Sequence, residues 1–401
     1  MTPVVDGPSA GSGRKRFQLT PEQLAAIGQR PRVASSLASS PYAFFRFQHA
    51  AFSLRVCEAF ADERARMPIV NLHGDAHLEQ YAVTRRAHGL DDFDEAGIGP
   101  AVVDLVRFIA SLHVACADAD FACDPERAAQ AFLDQYRIAT LDPGAVPSPP
   151  ALVTAVRASA PMGADAFLAW GEGLMTPLPE DLRADITKAW QRSTGLMRAE
   201  DPSRPASFYR LQRAGRIGIG IGSALNEKFL LRIEGPTAAP HDDLLVEVKQ
   251  QAPALPGSCV YRPPTGGVLY PQLMQRRLGR LNPEVLAFVP HVDVDTDRPP
   301  WMCWLRSWDE AYREVRRGDL RGPTDLEQLA RDVGHQLGDG HCRDLTAPFE
   351  QQHRRAQVVW LDGKRDRVLA LGAALAEELR GAWRSLPPAL AQHRGSGSSG
   401  G

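Results

Sequence analysis

The order of segments along the chain predicts an α+β protein in which a small antiparallel β lobe is inserted into a large helical lobe. Three observations carry that expectation. Apolar residues recur at helical spacing through most of residues 43–198. Between Pro202 and Trp308 the pattern shifts to short apolar runs separated by glycine- and proline-rich turns. After Trp308 helical spacing returns.

The first helical stretch is AFFRFQHAAFSLRVCEAFADERAR at 43–66, and a short strand or turn follows at 68–72. Residues 100–117 (PAVVDLVRFIASLHVACA) read as a helix with Pro100 suited to its first turn. Further helices fit 125–140, 150–160, 163–174 and 179–198. Strands are expected at 207–214, 228–234 and 244–249, with GRIGIGIGSA at 215–224 and GPTAAPHDD as the intervening turns. Residues 259–270 read as a hairpin or loop, 270–281 as a helix, and 286–292 and 301–306 as strands. Helices are expected again at 308–318, 324–339 and 364–385. The expected division is a flexible tail at 1–35, a helical lobe at 36–204, a β lobe at 205–306, the rest of the helical lobe at 307–393 and a second tail at 394–401, whose GSGSSGG has the composition of an appended linker.

Composition excludes several classes. The 401 residues are 44% hydrophobic and 23% charged, enough to bury a core without covalent staples. A formal net charge of −2 gives no general attraction to nucleic acid or an anionic membrane. No apolar run approaches the length of a membrane span, and no signal-like segment follows the start, so a cytoplasmic location is expected. The six cysteines are scattered without a CxxC pair and read as reduced, core-filling residues. Only five of the 46 basic residues are lysine, so a lysine on an apolar strand stands out.

One such lysine ends the strand LLVEVK at Lys249. An ammonium there is costly to bury unless an anion meets it. Upstream, Gly218, Gly220 and Gly222 let backbone N–H groups approach phosphate oxygens. The same spacing also fits a tight hairpin, with Lys249 reaching water from an edge strand. A second cluster is VNLHGDAHLEQY at 70–81, followed by LDDFDEAG, so that Asp75 precedes Asp92 by 17 residues. Two such acidic groups can converge on a divalent cation, one orienting a hydroxyl and the other holding Mg²⁺ against phosphate. LDDFDEAG also reads as an exposed acidic loop, and His73 and His77 as turn hydrogen-bonders. A zinc site would need three thiolate or imidazole-type ligands, and no cysteine lies nearby. Asp104, in VVDLVRF, either holds the His73–His77 turn or pairs with Arg107 three residues on.

Together these stretches resemble a known group. HGDAHLEQY is similar to the HGDxHxxN catalytic loop of the aminoglycoside phosphotransferases and choline kinases, and LDDFDEAGIGPAVVDLVRF to the segment that follows it there. SPYAFFRF at 40–47, HGDAHLEQY, DDFDEAGIGP and GIGIGSA…VEVK resemble, in order, the recurring stretches of the bacterial domain of unknown function 2252 family, over roughly residues 36–345. In ordinary kinase-like chains the glycine-rich strands and their lysine come first. Here they follow the loop, and TDLEQLARDVGHQLGD at 324–339 resembles the helix that normally precedes it. The resemblance thus implies a two-lobed, circularly permuted kinase-like fold.

The resemblance further implies an ATP- and Mg²⁺-dependent phosphotransferase with a small-molecule or peptide acceptor. Within the catalytic loop of His73, Asp75 and His77, Asp75 would be the base or orienting group and His73 structural. Asp92 would bind Mg²⁺, with Asp94 as a second metal or loop contact. Lys249 would meet the α- and β-phosphates under the loop of Gly218, Gly220, Gly222 and Ser223. Asp104 would brace the catalytic loop. Two departures stand out. Gln80 occupies the metal-binding Asn position, one methylene longer. No Asp or Glu lies between Gln250 and Asn282 to supply the usual helix partner of the lysine, leaving Gln250, Gln251, Gln272 or Glu247. Those departures also fit a nucleotide-binding pseudoenzyme. A metal-dependent hydrolase using His73, Asp75, His77 and Asp92 is the remaining alternative. Trp170, Trp190, Trp301 and Trp304 line a pocket or the core, and Arg46 meets an anionic acceptor or caps a helix.

Overall fold

A computed structural model describes residues 17–390 except 118, 120–121, 160–162, 219–227, 251–254, 264–268, 284, 293–300, 346–348 and 387–389. It is a mixed α+β structure with small antiparallel sheets. The chain runs α1 (Pro21–Gly28), α2 (Pro31–Ser39), α3 (Pro41–Phe47), α4 (His49–Ala59), β1 (Ile69–Leu72), β2 (Tyr81–Val83), β3 (His88–Leu90), β4 (Gly97–Pro100), α5 (Val102–Ala117), α6 (Pro125–Leu141), α7 (Ala151–Ala158), α8 (Ala164–Leu174) and α9 (Glu180–Glu200). It continues β5 (Leu211–Arg216), β6 (Lys228–Ile233), β7 (Leu244–Gln250), α10 (Tyr270–Arg277), β8 (Leu286–Val292), β9 (Trp301–Ser307), β10 (Arg313–Glu314), α11 (Pro323–His341) and α12 (Glu350–Trp383).

Local signals explain most boundaries. Thr20 and Gln23 form a capping box ahead of α1, Ser40 caps α3 and Asp124 caps α6, each before a proline in the first turn. Of the expected tail at 1–35, residues 1–16 lie outside the described residues, while α1 and the start of α2 lie in the rest and Phe17 is buried with its carbonyl accepting from Gln48. The expected helix 43–66 breaks at Gln48. Pro100 ends β4 instead of opening α5. The expected helix 308–318 is instead turns, β10 and a single 3₁₀ turn, since Val315 N bonds Tyr81 O and draws the segment alongside β2. The final helix starts fourteen residues earlier than expected, at Glu350.

The main core gathers α3–α6, α11 and α12 around α5, which is buried on nearly every side. Gly334 and Gly338 let α11 lie directly on α6. A Cβ at either would sit 2.4 Å from a carbonyl oxygen, of Phe132 and of Tyr136 respectively. The five-stranded sheet, in the order β5-β6-β7-β9-β8, has its own core. Side chains alternate across it. Phe229, Leu231, Ile233, Val246 and Val248 face Leu182, Ile186 and Trp190 of α9, while Leu230 and Leu245 meet Phe167 and Leu168 of α8. By packing, α8 and α9 therefore go with the sheet, although helical spacing alone grouped them with the residues before 204.

The cysteines correct another expectation. Cys57 of α4 is bonded to Cys259, and Cys116 to Cys123, each pair with Cα atoms 5.5 Å apart, and Cys342 is free and buried. Among the described residues no helix is long and apolar enough to cross a membrane.

Candidate functional site

Both acidic clusters emerge from one clamp. Strands β1 and β4 pair with Leu72 opposite Gly97, so residues 73–96 leave and return at one point. Within that excursion β2 and β3 form a hairpin with Tyr81 opposite Leu90. The hairpin brings Gln80 beside Asp91, whose N–H donates to the Gln80 carbonyl at 2.8 Å. The 17-residue interval between Asp75 and Asp92 is thus a hairpin with one candidate loop at each foot.

The first loop is held through its backbone. Asp104, in the first turn of α5, accepts the His73 N–H at Oδ2 and the Gly74 N–H at Oδ1, both at 2.8 Å. His341 donates to the same carboxylate at 3.2 Å. Gly74 has φ +85°, and a Cβ there would lie 2.0 Å from the Glu95 carbonyl oxygen, so only glycine fits. His73 Nδ1 accepts the Asp75 N–H at 3.3 Å, which leaves the proton on Nε2 to bond the Asp91 carbonyl at 2.8 Å. With both nitrogens engaged, His73 presents neither to a metal, and the hydrolase reading loses one of its ligands.

Asp75 is nearly enclosed. Arg107 Nε donates to its Oδ1 at 2.8 Å, and His77 Nε2 lies 3.7 Å from Oδ2. Arg107 also bonds the Phe45 carbonyl at 3.0 Å and lies 3.6 Å above the Phe45 ring. Its partner is therefore Asp75 and not Asp104. Burial, then the charges of Arg46 and Arg107, hold the His77 imidazole well below its usual range and neutral. Its Nδ1 is 3.5 Å from the Tyr42 hydroxyl. Arg46 pairs with Glu79 at 3.2 Å instead of capping a helix.

The second loop meets the sheet. Lys249, buried on β7, donates to Asp92 and, at 3.2 Å, to Asp94 Oδ2, and its ammonium lies 3.9 Å from Glu247 Oε1. Asp92 adopts φ +65°, uncommon for a non-glycine residue and a local strain of the kind that collects at functional sites. Asp91 pairs with Arg306 of β9, which also binds Glu247 at 3.2 Å, and Trp308 Nε1 donates to Glu247 at 3.1 Å. Glu247 is thus the carboxylate beside the lysine, offered from the same strand. Gln272 instead bonds the Leu286 carbonyl at 3.4 Å. Burial pushes the Asp92 carboxyl up, but Lys249, Arg306 and Lys228 outweigh it and hold it well below the carboxylate range. Burial and the Asp92 charge raise Asp94 to about 7.

Sequence reasoning passed over Arg306 and Lys228 and offered Arg107 only as a partner of Asp104, whereas it binds Asp75. Lys228 is buried and stands opposite Lys249 in the β6–β7 register. The scarcity of lysine that singled out Lys249 applied equally to KFLLRI. Gly218 is exposed at the end of β5, whereas Gly220, Gly222 and Ser223 lie outside the described residues, as does Gln251 and the side chains of Gln250, Trp301 and Trp304. Trp190 is core, its Nε1 donating to Tyr209 O at 2.7 Å, and Trp170 leans on Trp308.

Among the described residues no three His, Cys, Asp or Glu side chains are grouped to hold an ion unaided. Asp92 and Asp94 supply two carboxylates, a donor set that suits Mg²⁺ where phosphate oxygens complete the shell. The ammonium beside them suits the phosphates themselves. Lys249, Asp92 and Asp94 would therefore suit phosphate oxygens and an ion held against them.

Residues 31–145 match a family described as "Uncharacterized protein conserved in bacteria (DUF2252)". The match takes in both loops, Asp104 and Arg107, and supports the resemblance to that family over those residues. It ends before the five-stranded sheet, so it does not reach Lys249. No curated protein and no solved structure matches the chain.

Proposed function

We propose that this chain is an ATP- and Mg²⁺-dependent phosphotransferase of kinase-like, circularly permuted design, moving the γ-phosphoryl group to a hydroxyl of a small molecule or peptide. The meeting of Lys249 with Asp92 and Asp94 carries the reading. Residues 157 and 155 positions apart in sequence converge on one place, beside a loop whose backbone Asp104 fixes. In the resembled group the strand lysine binds phosphate oxygens and the loop aspartate binds the ion, which when bound neutralises charge on the transferring group.

The residues divide the work. Lys249 holds phosphate oxygens. Asp92 and Asp94 hold the ion. Asp75 orients the acceptor hydroxyl and takes its proton as the new oxygen–phosphorus bond forms and the bond to ADP breaks. Asp104 keeps Asp75 in place through the His73 and Gly74 amides. Catalysis here is positioning and charge neutralisation.

One observation favours a second reading, a nucleotide-binding protein without turnover. Asp75 Oδ1 is already occupied by Arg107 at 2.8 Å, so one of its two oxygens is not open to an acceptor hydroxyl. Incubation with γ-labelled ATP, Mg²⁺ and fractionated small-molecule extracts separates the two. Label transfer that disappears in Asp75→Ala supports the enzyme. ATP binding by calorimetry without transfer to any fraction supports the second reading, and absence of ATP binding removes both.

A further inference from the structure

The face of the sheet that carries Lys249 carries a second lysine that the resemblance does not supply. Lys228 opens β6 and Lys249 closes β7, and they are direct partners in the antiparallel register. Such partners project from the same face with Cβ atoms about 4.5–5.5 Å apart, and like charges so placed oppose each other. Both are buried, at 5% and 3% exposure. Two of the chain's five lysines are therefore set side by side in a place where each ammonium is costly. Lys228 also marks the foot of the glycine-rich turn, because its carbonyl accepts the Ile217 N–H at 3.0 Å, one residue before Gly218.

We propose that Lys228 and Lys249 form a two-ammonium clamp that selects linked phosphates over a single phosphate. The clamp rests on the phosphotransferase reading for its nucleotide but not for its chemistry. Asp92, Asp94 and Glu247 pair with Lys249, and the charges of the same three carboxylates act on Lys228. A polyphosphate entering with a divalent ion exchanges these contacts: the loop carboxylates turn to the ion and the ammoniums to phosphate oxygens. A single phosphate needs one ammonium, whereas neighbouring phosphates of a chain use both. Lys228 is thus a specificity residue for the length of the phosphate chain.

The test titrates inorganic tripolyphosphate and orthophosphate, each with Mg²⁺, into the full chain by calorimetry, for the wild type, Lys228→Gln and Lys249→Gln. Each variant is expected to lose at least fivefold in tripolyphosphate affinity and to bind orthophosphate within about twofold of wild type. A smaller loss in Lys228→Gln overturns the clamp. Should Lys228→Gln not fold, Lys228→Met, which keeps the apolar stem and removes only the charge, takes its place in the same titration, and a loss smaller than fivefold there overturns the clamp. ATP is titrated in parallel. Binding of tripolyphosphate but not ATP removes the nucleotide reading and leaves the clamp, while ATP binding unaffected by Lys228→Gln does the reverse.

Discussion

Asp104 receives two consecutive backbone amides, of His73 and Gly74, each at 2.8 Å and all buried. Deleting its carboxylate takes the acceptor from three buried N–H donors, the two amides and His341 Nε2. Each orphaned buried group costs about 1–3 kcal/mol, so Asp104→Ala is expected to lose roughly 3–9 kcal/mol. Asp104→Asn retains one carbonyl acceptor and is expected to lose about half of that. Urea denaturation of the two variants beside wild type measures both, and equal stability of all three would show that the loop holds its shape without Asp104.

Arg107 does for the side chain of Asp75 what Asp104 does for the backbone of the two residues before it. It reaches Asp75 at 2.8 Å and is anchored by the Phe45 carbonyl and ring. Removing one partner of a buried ion pair typically costs about 3–5 kcal/mol, because the other charge stays behind. Arg107→Met is therefore expected to destabilise more than the double variant with Asp75→Asn, which removes both charges. A double-mutant cycle by chemical denaturation reads the coupling directly. Additive losses would mean that the pair does not interact in solution.

These two residues also show where the sequence was informative. Asp104 was partly legible: a carboxylate on an apolar helix face needs a partner, and the loop backbone was one of the two partners the sequence offered, beside Arg107. Arg107 was not, since spacing of three placed it beside Asp104 and nothing local pointed to Asp75. Lys249 stood out against an arginine-rich background, whereas Glu247 and Arg306 required the strand register. Helical spacing found α8 and α9 but not their partner, because an amphipathic face does not say what covers it. The Cys57–Cys259 bond spans 202 positions and left no spacing signal. The segment at 308–318 reads as helix on its own, and only the backbone of β2, far away in sequence, makes it extended.

His49 gives a pH signature beside the first loop. Its Nε2 lies 3.2 Å from Glu95, which Arg262 also meets at 3.3 Å. Burial lowers the imidazole pKa, but the Glu95 charge outweighs it and raises the value to about 9. A folded pKa above the unfolded value of about 6.5 gives stability that is complete below that pH and is lost as pH rises through 9. At about 1.36 kcal/mol per unit over about 2.5 units, the contribution is on the order of 3 kcal/mol. Wild type is expected to lose this amount between pH 6.5 and 9.5 relative to His49→Gln. Denaturation midpoints across that range provide the measurement, and parallel curves for the two proteins would remove the ion pair.

Lys249 neutralises the loop carboxylates from the sheet, and its loss tests whether those carboxylates attract cations. In Lys249→Met, Asp92 and Asp94 lose the ammonium they now share. The expected cost in metal-free buffer is about 3–5 kcal/mol, as for other broken buried pairs. A divalent cation that binds only the folded chain stabilises it by mass action. Millimolar Mg²⁺ is therefore expected to raise the thermal midpoint of Lys249→Met by more than it raises that of wild type, where the lysine competes for the same oxygens. Adding Asp92→Asn to the variant should abolish that extra response, because one carboxylate alone is a poor Mg²⁺ site. A Lys249→Met protein whose midpoint does not move with Mg²⁺ would show that Asp92 and Asp94 are partners of the lysine only, with no part in holding an ion.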